Sequence, residues 1–421
     1  MIRKIKQHSN KKNKRLLSNI FSLFVLKGAD YIIPLILLPY LVRVLGIENF
    51  GLLAFATSTI SFFRTFVAYG FDFSGTQQIA SNSDNTFKIN EVFSAVIVTK
   101  AILASVSFIV LSFILIFINK FNENYMLYIF TFLIVFGDVL FPVWYFQGLE
   151  KMKFITYLRL SYKAIFLLSI MIFVKSNDDF ILVPLLDALG YIITGLFSLY
   201  ISHRYYHLQF IFPSLSSITW QLKNGWHIFL SQISVTFYSS INTFLLGLLA
   251  TNEAVGFYSL AYKLYLALRG LLSPITQSLF PFLTKEYKTN KQTYYKKVRY
   301  ISIMYSILLV LIALMVYVFS NDIIKLVSGN NIKESTNVLN ILLFALPFSI
   351  GSFYSSLLVI KSEGKILFKI TLTCMVINLC LVFPSIYFYG IYGLAWQFVV
   401  VQMIQSVLQV KYNFEIWRDK R

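Results

Sequence analysis

Apolar residues run through this chain in stretches of about 20, the length that carries a helix across a bilayer core, and short loops separate them. The pattern predicts spans near 16–43, 49–71, 92–118, 124–148, 154–174 and 180–202. A second set follows near 226–250, 255–282, 300–320, 338–360, 366–388 and 391–412. Between the sets lies HRYYHLQFIFPSLSSITWQLKNG, residues 203–225, which is polar, aromatic and broken by Pro213. The expected organisation is a basic tail over 1–15, a first lobe over 16–202, a linker over 203–225, a second lobe over 226–412 and a tail over 413–421. The fold class is an all-α integral membrane protein with about twelve transmembrane helices in two six-helix lobes. Loops this short leave no room for a soluble catalytic domain.

One stretch occurs twice. ENFGLLAFATSTISFFR, residues 48–64, aligns with EAVGFYSLAYKLYLALR, residues 253–269, a register 205 positions later. Glu48 falls on Glu253, Gly51 on Gly256, Ala56 on Ala261 and Arg64 on Arg269. Each copy opens with an acid and a glycine and carries an arginine thirteen residues past the glycine. An arginine deep in an apolar helix is costly and marks a functional site by default. Its duplication suggests two halves facing one another across a charged site.

Composition agrees with the spans. Hydrophobic residues make up 57% of the chain and charged residues 13%, against about 25% charged in soluble proteins. The net charge of +19 is mostly a topology signal. Twenty-five Lys and Arg fall on the side shared with both termini, and only Arg43, Lys120, Lys175, Lys325 and Lys333 on the other. By the positive-inside rule both termini are cytoplasmic, and nucleic-acid binding is the weaker reading of the charge. The opening MIRKIKQHSNKKNKR runs into an apolar span with no small-residue cleavage site and reads as a retained tail. Cys374 and Cys380 share one span and imply neither a disulfide nor a metal framework.

Seven cations remain inside the spans: Lys27, Arg64, Lys100, Arg159, Lys163, Lys263 and Arg269. Four acids join them: Asp30, Asp72, Asp138 and Asp187. The excess of three positive charges points to an anion brought by a substrate, and these cations are the expected cavity lining. Helix rise puts Arg64, Lys100, Lys163 and Arg269 between mid-bilayer and the cytoplasmic half. Each site also has a plainer reading. Arg159 can snorkel to the surface. Lys27 and Asp30, three residues apart, can neutralise each other. Asp72 ends its span and reads as a cap or closing contact, while Asp138 and Asp187 either pair with cavity cations or carry a proton. Pro34, Pro39, Pro142, Pro274, Pro281 and Pro347 are expected to bend their helices. Trp144, Tyr145, Trp220 and Trp226 are expected in an interfacial belt. The four His lie outside or at the edge of the spans, so no catalytic residue, metal site or cofactor is expected.

The segments DYIIPLILLPYLVRVLG (30–46), ENFGLLAFA (48–56) and FPVWYFQGLEKMKFITY (141–157) resemble the bacterial O-antigen flippases called Wzx. These belong to the polysaccharide-transport branch of the multidrug, oligosaccharidyl-lipid and polysaccharide exporter superfamily. The resemblance is clearest over the first 160 residues. It implies a V-shaped transporter of the multidrug-exporter type in the bacterial inner membrane. The implied substrate is an undecaprenyl-pyrophosphate-linked oligosaccharide, turned from the cytoplasmic to the periplasmic leaflet by alternating access. Membrane lipid, a polysaccharide polymerase and a chain-length regulator are the implied partners. Asp30 stands where the usual pattern has Asn. A multidrug or organic-ion exporter of the same fold is the alternative, although its cationic substrates would favour an acidic cavity. Reporter fusions test the orientation: those at residues 215 and 290 should read cytoplasmic and those at 178 and 330 periplasmic. A periplasmic signal at 290 would overturn it.

Overall fold

Glycines and capping side chains decide where the apolar runs of this chain break. The computed structural model describes the backbone of residues 2–419 and the side chains of residues 28–30 and 32–414. The Lys27 side chain therefore lies outside the described residues. The helices in order are α1 (Ile2–Ala68), α2 (Phe71–Ser81), α3 (Thr86–Phe117), α4 (Asn119–Asn122) and α5 (Tyr125–Leu140). They continue with α6 (Val143–Gly148), α7 (Met152–Phe173), α8 (Leu182–Tyr206), α9 (Leu215–Leu249) and α10 (Asn252–Thr289). The last five are α11 (Lys291–Val318), α12 (Ser320–Ser328), α13 (Lys333–Leu343), α14 (Ile350–Ile360) and α15 (Gly364–Asp419). No strand occurs among the described residues.

Seven helices among the described residues are long and apolar enough to cross a membrane, or eight with the bent pair α13 and α14, which meet at 47°. Two of the seven are of double length. α1 turns at Gly46, with φ 73°, and α15 at Gly390, with φ 57°, conformations that residues bearing a Cβ avoid. The halves of these two, together with α9 and α10, which are long enough but more polar, complete the twelve expected segments. Side-chain caps start α3, α10 and α11. Asn85 accepts the Lys88 N–H, Thr251 the Ala254 N–H and Asn290 the Thr293 N–H. Glu253 lies in the first turn of α10, where a carboxylate answers the helix dipole, and Glu48 follows the Gly46 turn in the same way.

Prolines break fewer helices than expected. Pro142 separates α5 from α6, and Pro347 starts the 3-10 turn between α13 and α14. Pro274 and Pro281 lie inside a continuous α10, and the turn in α1 falls at Gly46, beyond Pro34 and Pro39. A membrane helix tolerates a proline when its neighbours satisfy the freed carbonyl, whereas a positive φ reverses the chain outright.

The chain divides into two units, Met1–Leu37 with Thr59–Ile233, and Leu38–Ser58 with Ser234–Arg421. In the first, Trp144 and Tyr145 are fully buried, which corrects the interfacial placement. The break at Pro142 turns α6 inward, so the rings of Trp144 and Tyr145 pack on Phe93, and that of Tyr145 on Phe146 and Tyr206. Trp220 and Trp226 are exposed. The segment after α8 lies along α3. The Gln209 N–H donates to Asn90 Oδ1 at 3.2 Å and the Ile211 N–H to Ser94 Oγ at 2.9 Å.

In the second unit the hairpin Leu38–Ser58, reversed at Gly46, packs against α9 and α10. The repeated glycines meet there. A Cβ added to Gly51 would collide with the Asn252 carbonyl and the backbone of Gly256, and one on Gly256 with the Ile47 carbonyl. Two backbones cross where neither copy has a side chain. Phe55 lies against Gly247 and Phe244. Arg43 donates to the Leu326 and Val327 carbonyls at the end of α12, closing that helix on the left-handed Gly329. Buried carboxamides join the remaining helices. Gln397 donates to Asn378 and Asn242 to Gln397, while Tyr238 donates to Gln402 and Gln405 at 3.1 Å. Asn413 donates to the Tyr354 carbonyl at 3.0 Å, and the Lys361 ammonium donates to the Asn413 carbonyl.

Gly51→Ala and Gly256→Ala should each cost about 1–3 kcal/mol through overpacking and lower the melting temperature of purified protein. Gly364→Ala, where nothing lies within 4 Å, should not, and equal melting temperatures for all three would refute a tight crossing.

Candidate functional site

The intramembrane charges fall into two groups with different partners. In the first unit the second half of α1 brings Arg64 against α5. Its Nε donates to Asp138 Oδ2 at 2.6 Å and an Nη to Oδ1 at 3.1 Å, the two-pronged fork that a guanidinium offers a carboxylate. Lys100 of α3 is buried and donates to the Asp138 backbone carbonyl at 2.6 Å. The Tyr191 hydroxyl of α8 is close enough to interact with the Asp138 carboxylate. Lys163 of α7 forms an ion pair with Asp30, and the Tyr162 hydroxyl donates to Asp187. Arg159 is half-buried, close enough for its charge to act on Tyr191, and has no carboxylate in ion-pair range among the described residues.

The first-unit residues Arg64, Lys100, Lys163, Asp30, Asp138 and Asp187 therefore share one network across α1, α3, α5, α7 and α8. Asp30 takes Lys163 as its partner, 133 residues away. Asp72 stands apart, exposed in the first turn of α2, with its carbonyl accepting from Thr76. The Arg64 side chain keeps 41% of its surface accessible and Asp138 22%, so the pair lines accessible space while it ties two helices.

In the second unit, Lys263 lies over the Phe50 ring at 4.5 Å, a cation–π contact. Arg269 has no carboxylate in ion-pair range among the described residues. The groups that feel its charge are the hydroxyls of Tyr238, Tyr262, Tyr265 and Tyr305. These are neutral donors and acceptors that leave a guanidinium open to an anion. The repeated arginines thus differ: Arg64 is already matched to a carboxylate, and Arg269 is not.

Sequence reasoning missed the tyrosines and the carboxamides. Their signal was present as Tyr258, Tyr262, Tyr265 and Arg269 on one face of α10, and as Gln405, Gln409 and Asn413 at four-residue spacing in an apolar helix. Removing one partner of the Arg64–Asp138 pair should cost on the order of 1.5–3 kcal/mol, toward the low end given the accessibility of Arg64. Arg64→Met and Asp138→Leu should each reduce the folded protein recovered from membranes. The double variant should recover most of it, since an apolar pair can replace an ionic one. Losses that simply add in the double variant would refute the pairing.

Comparison with known proteins gives this arrangement its relatives. Over 396 residues the chain is 29% identical to a Shigella dysenteriae protein named "Putative O-antigen transporter", covering 93% of this chain and 98% of that one. Two solved structures share the fold. "Lipid II flippase MurJ, inward closed conformation" gives a TM-score of 0.75 at 15% identity, covering 94% of this chain and 87% of that one. A multidrug resistance MATE family transporter of the MOP superfamily, in an inward-facing conformation, gives 0.66 at 15% identity, covering 91% and 97%. The polysaccharide biosynthesis protein family matches residues 16–287. That match takes in the first unit from residue 16 onward, the hairpin that crosses at Gly51 and the tyrosine face of α10 with Arg269, and the chain is a member of this family.

Proposed function

We propose that this protein is a flippase for a polysaccharide repeat unit carried on a lipid diphosphate. The substrate class is undecaprenyl-pyrophosphate-linked oligosaccharide, moved from the cytoplasmic to the periplasmic leaflet of the inner membrane. Both termini are cytoplasmic in this reading. The lobes over 16–202 and 226–412, joined by 203–225, alternate in access around the substrate. A polysaccharide polymerase and a chain-length regulator are the protein partners that fit such a product.

The observation that carries the reading is Arg269, a cation within α10 that has no carboxylate in ion-pair range among the described residues, while tyrosine hydroxyls feel its charge. A guanidinium in that setting is stabilised by an arriving anion, and a diphosphate supplies one with oxygens matched to its fork. The name of the Shigella dysenteriae relative and the flippase fold support the same class. Lys263 adds positive charge on the same helix. The Arg64 network contributes in a different way, holding the first unit's helices in register and presenting an accessible, nearly balanced wall.

The multidrug-exporter fold keeps organic-ion export as the second reading. The two diverge on Arg269. In a strain lacking its own flippase, Arg269→Ala should reduce surface polysaccharide at least tenfold while membrane protein stays near the native amount. Arg269→Lys should restore part of it, keeping the charge but losing the planar fork. Surface polysaccharide at native levels from a well-inserted Arg269→Ala variant, together with drug efflux that depends on the protein, would favour the exporter.

A further inference from the structure

The anion site has a neighbour on the same helix face. Tyr258, Tyr262, Tyr265 and Arg269 follow one another at spacings of four, three and four residues, so they form one stripe along α10. The Tyr262 ring is stacked between Tyr258 at 5.6 Å and Tyr265 at 6.4 Å. Phe398 meets it edge to face at 5.5 Å. Three aromatic rings thus flank it and hold it in place.

Of the hydroxyls near Tyr262, that of Tyr258 is sealed in the interior without a hydrogen-bond partner among the described residues, out of reach of a ligand, and two are engaged. Tyr238 donates to Gln402 and Gln405, and Tyr265 is 3.4 Å from Ser349 Oγ. The Tyr262 hydroxyl has no hydrogen-bond partner among the described residues, although the residue is half-buried. A phenol held rigidly with an unused donor and acceptor, one face-turn from an unmatched guanidinium, is arranged for a ligand that carries both an anion and a hydroxyl. The seven-residue step from Tyr262 to Arg269 rises about 10 Å along the helix, a spacing that spans one phosphate and one pyranose ring.

The repeat argues that the fold does not require these phenols. In the first copy the positions matching Tyr258, Tyr262 and Tyr265 are Leu53, Thr57 and Ile60, and the arginine is kept. The same helical hairpin is thus built without an aromatic stripe, and the tyrosines are particular to the copy whose arginine is open.

We propose that Tyr262 and Arg269 form a two-point subsite for the phosphate–sugar junction of the substrate, with Arg269 on the phosphate and the Tyr262 hydroxyl on the first sugar. Tyr262 is then a specificity-determining residue. The assignment rests on the flippase reading and is tested separately from it. Full-length protein in lipid nanodiscs is titrated with two probes, an isoprenyl diphosphate and the same isoprenyl diphosphate bearing one N-acetylhexosamine. The native protein should bind the sugar-bearing probe more tightly. Tyr262→Phe, which keeps the ring and its packing, should weaken that probe by about three- to tenfold and leave the sugar-free probe and the melting temperature unchanged. Arg269→Ala should weaken both. If Tyr262→Phe keeps the native preference, weakens both probes alike, or melts earlier, the hydroxyl serves the protein's own packing and the subsite is refuted. If the native protein binds neither probe, the flippase reading itself fails.

Discussion

Hydrocarbon offers a charge no water, so every ionic side chain placed within these spans has to be answered by something the protein or its ligand provides. That constraint shapes the first unit most directly. Arg64 ties α1 to α5, Lys100 ties α3 to α5, and Lys163 ties α7 to α1. Each answer is also a helix-to-helix bond, and the bonds share members, so the orientation of one helix fixes that of the next. The second unit is held differently. Many of its buried ties are neutral: Asn242, Asn378 and Gln397 bond to one another, Tyr238 bonds to Gln402 and Gln405, and Asn413 bonds across to α14, while the cations Arg43 and Lys361 bond to backbone carbonyls rather than to acids. Carboxamides carry donor and acceptor together and need no counter-charge, which leaves Arg269 of α10 outside these ties.

This difference explains how a duplicated motif can come to serve two ends. Both copies keep the acid at the helix start, the glycine at the crossing and the arginine thirteen residues on. The first arginine acquires a carboxylate partner from a neighbouring helix and becomes part of the scaffold. The second stays among phenols. A scaffold of ion pairs resists change in either partner, because removing one leaves the other buried and uncompensated. Arg269 has no ion pair for a change in a neighbour to break, so the residues around it can be shaped to a ligand, and the ligand supplies its counter-charge.

Much of the architecture was legible in the sequence because the bilayer sets a length scale that composition must obey. The apolar segments and the acid and glycine of the repeat follow from counting residues. What stayed hidden depended on distance along the chain or on local breaks. Nothing in residues 27–30 announces that Asp30 is paired with Lys163, because that contact exists only once α7 lies beside α1. Trp144 looks interfacial in a span of ordinary length, and it is buried because Pro142 turns a short helix inward. Prolines drew attention as hinges, yet the chain reverses at Gly46 and Gly390, where the positive φ is invisible until the backbone is built. The carboxamides of α15 were readable by spacing, but polar residues without charge do not stand out in a search for intramembrane ions.

The crossing of Gly51 with Gly256 has a consequence in time. The hairpin Leu38–Ser58 belongs to a unit whose other residues begin at Ser234, so its packing partner does not exist when it leaves the ribosome. At ordinary synthesis rates the interval of 205 residues takes on the order of ten to forty seconds. During that wait the bare backbone of Gly51 faces lipid or a temporary neighbour. The polypeptide therefore cannot mature strictly from its beginning to its end: one of its earliest segments is among the last to reach its place.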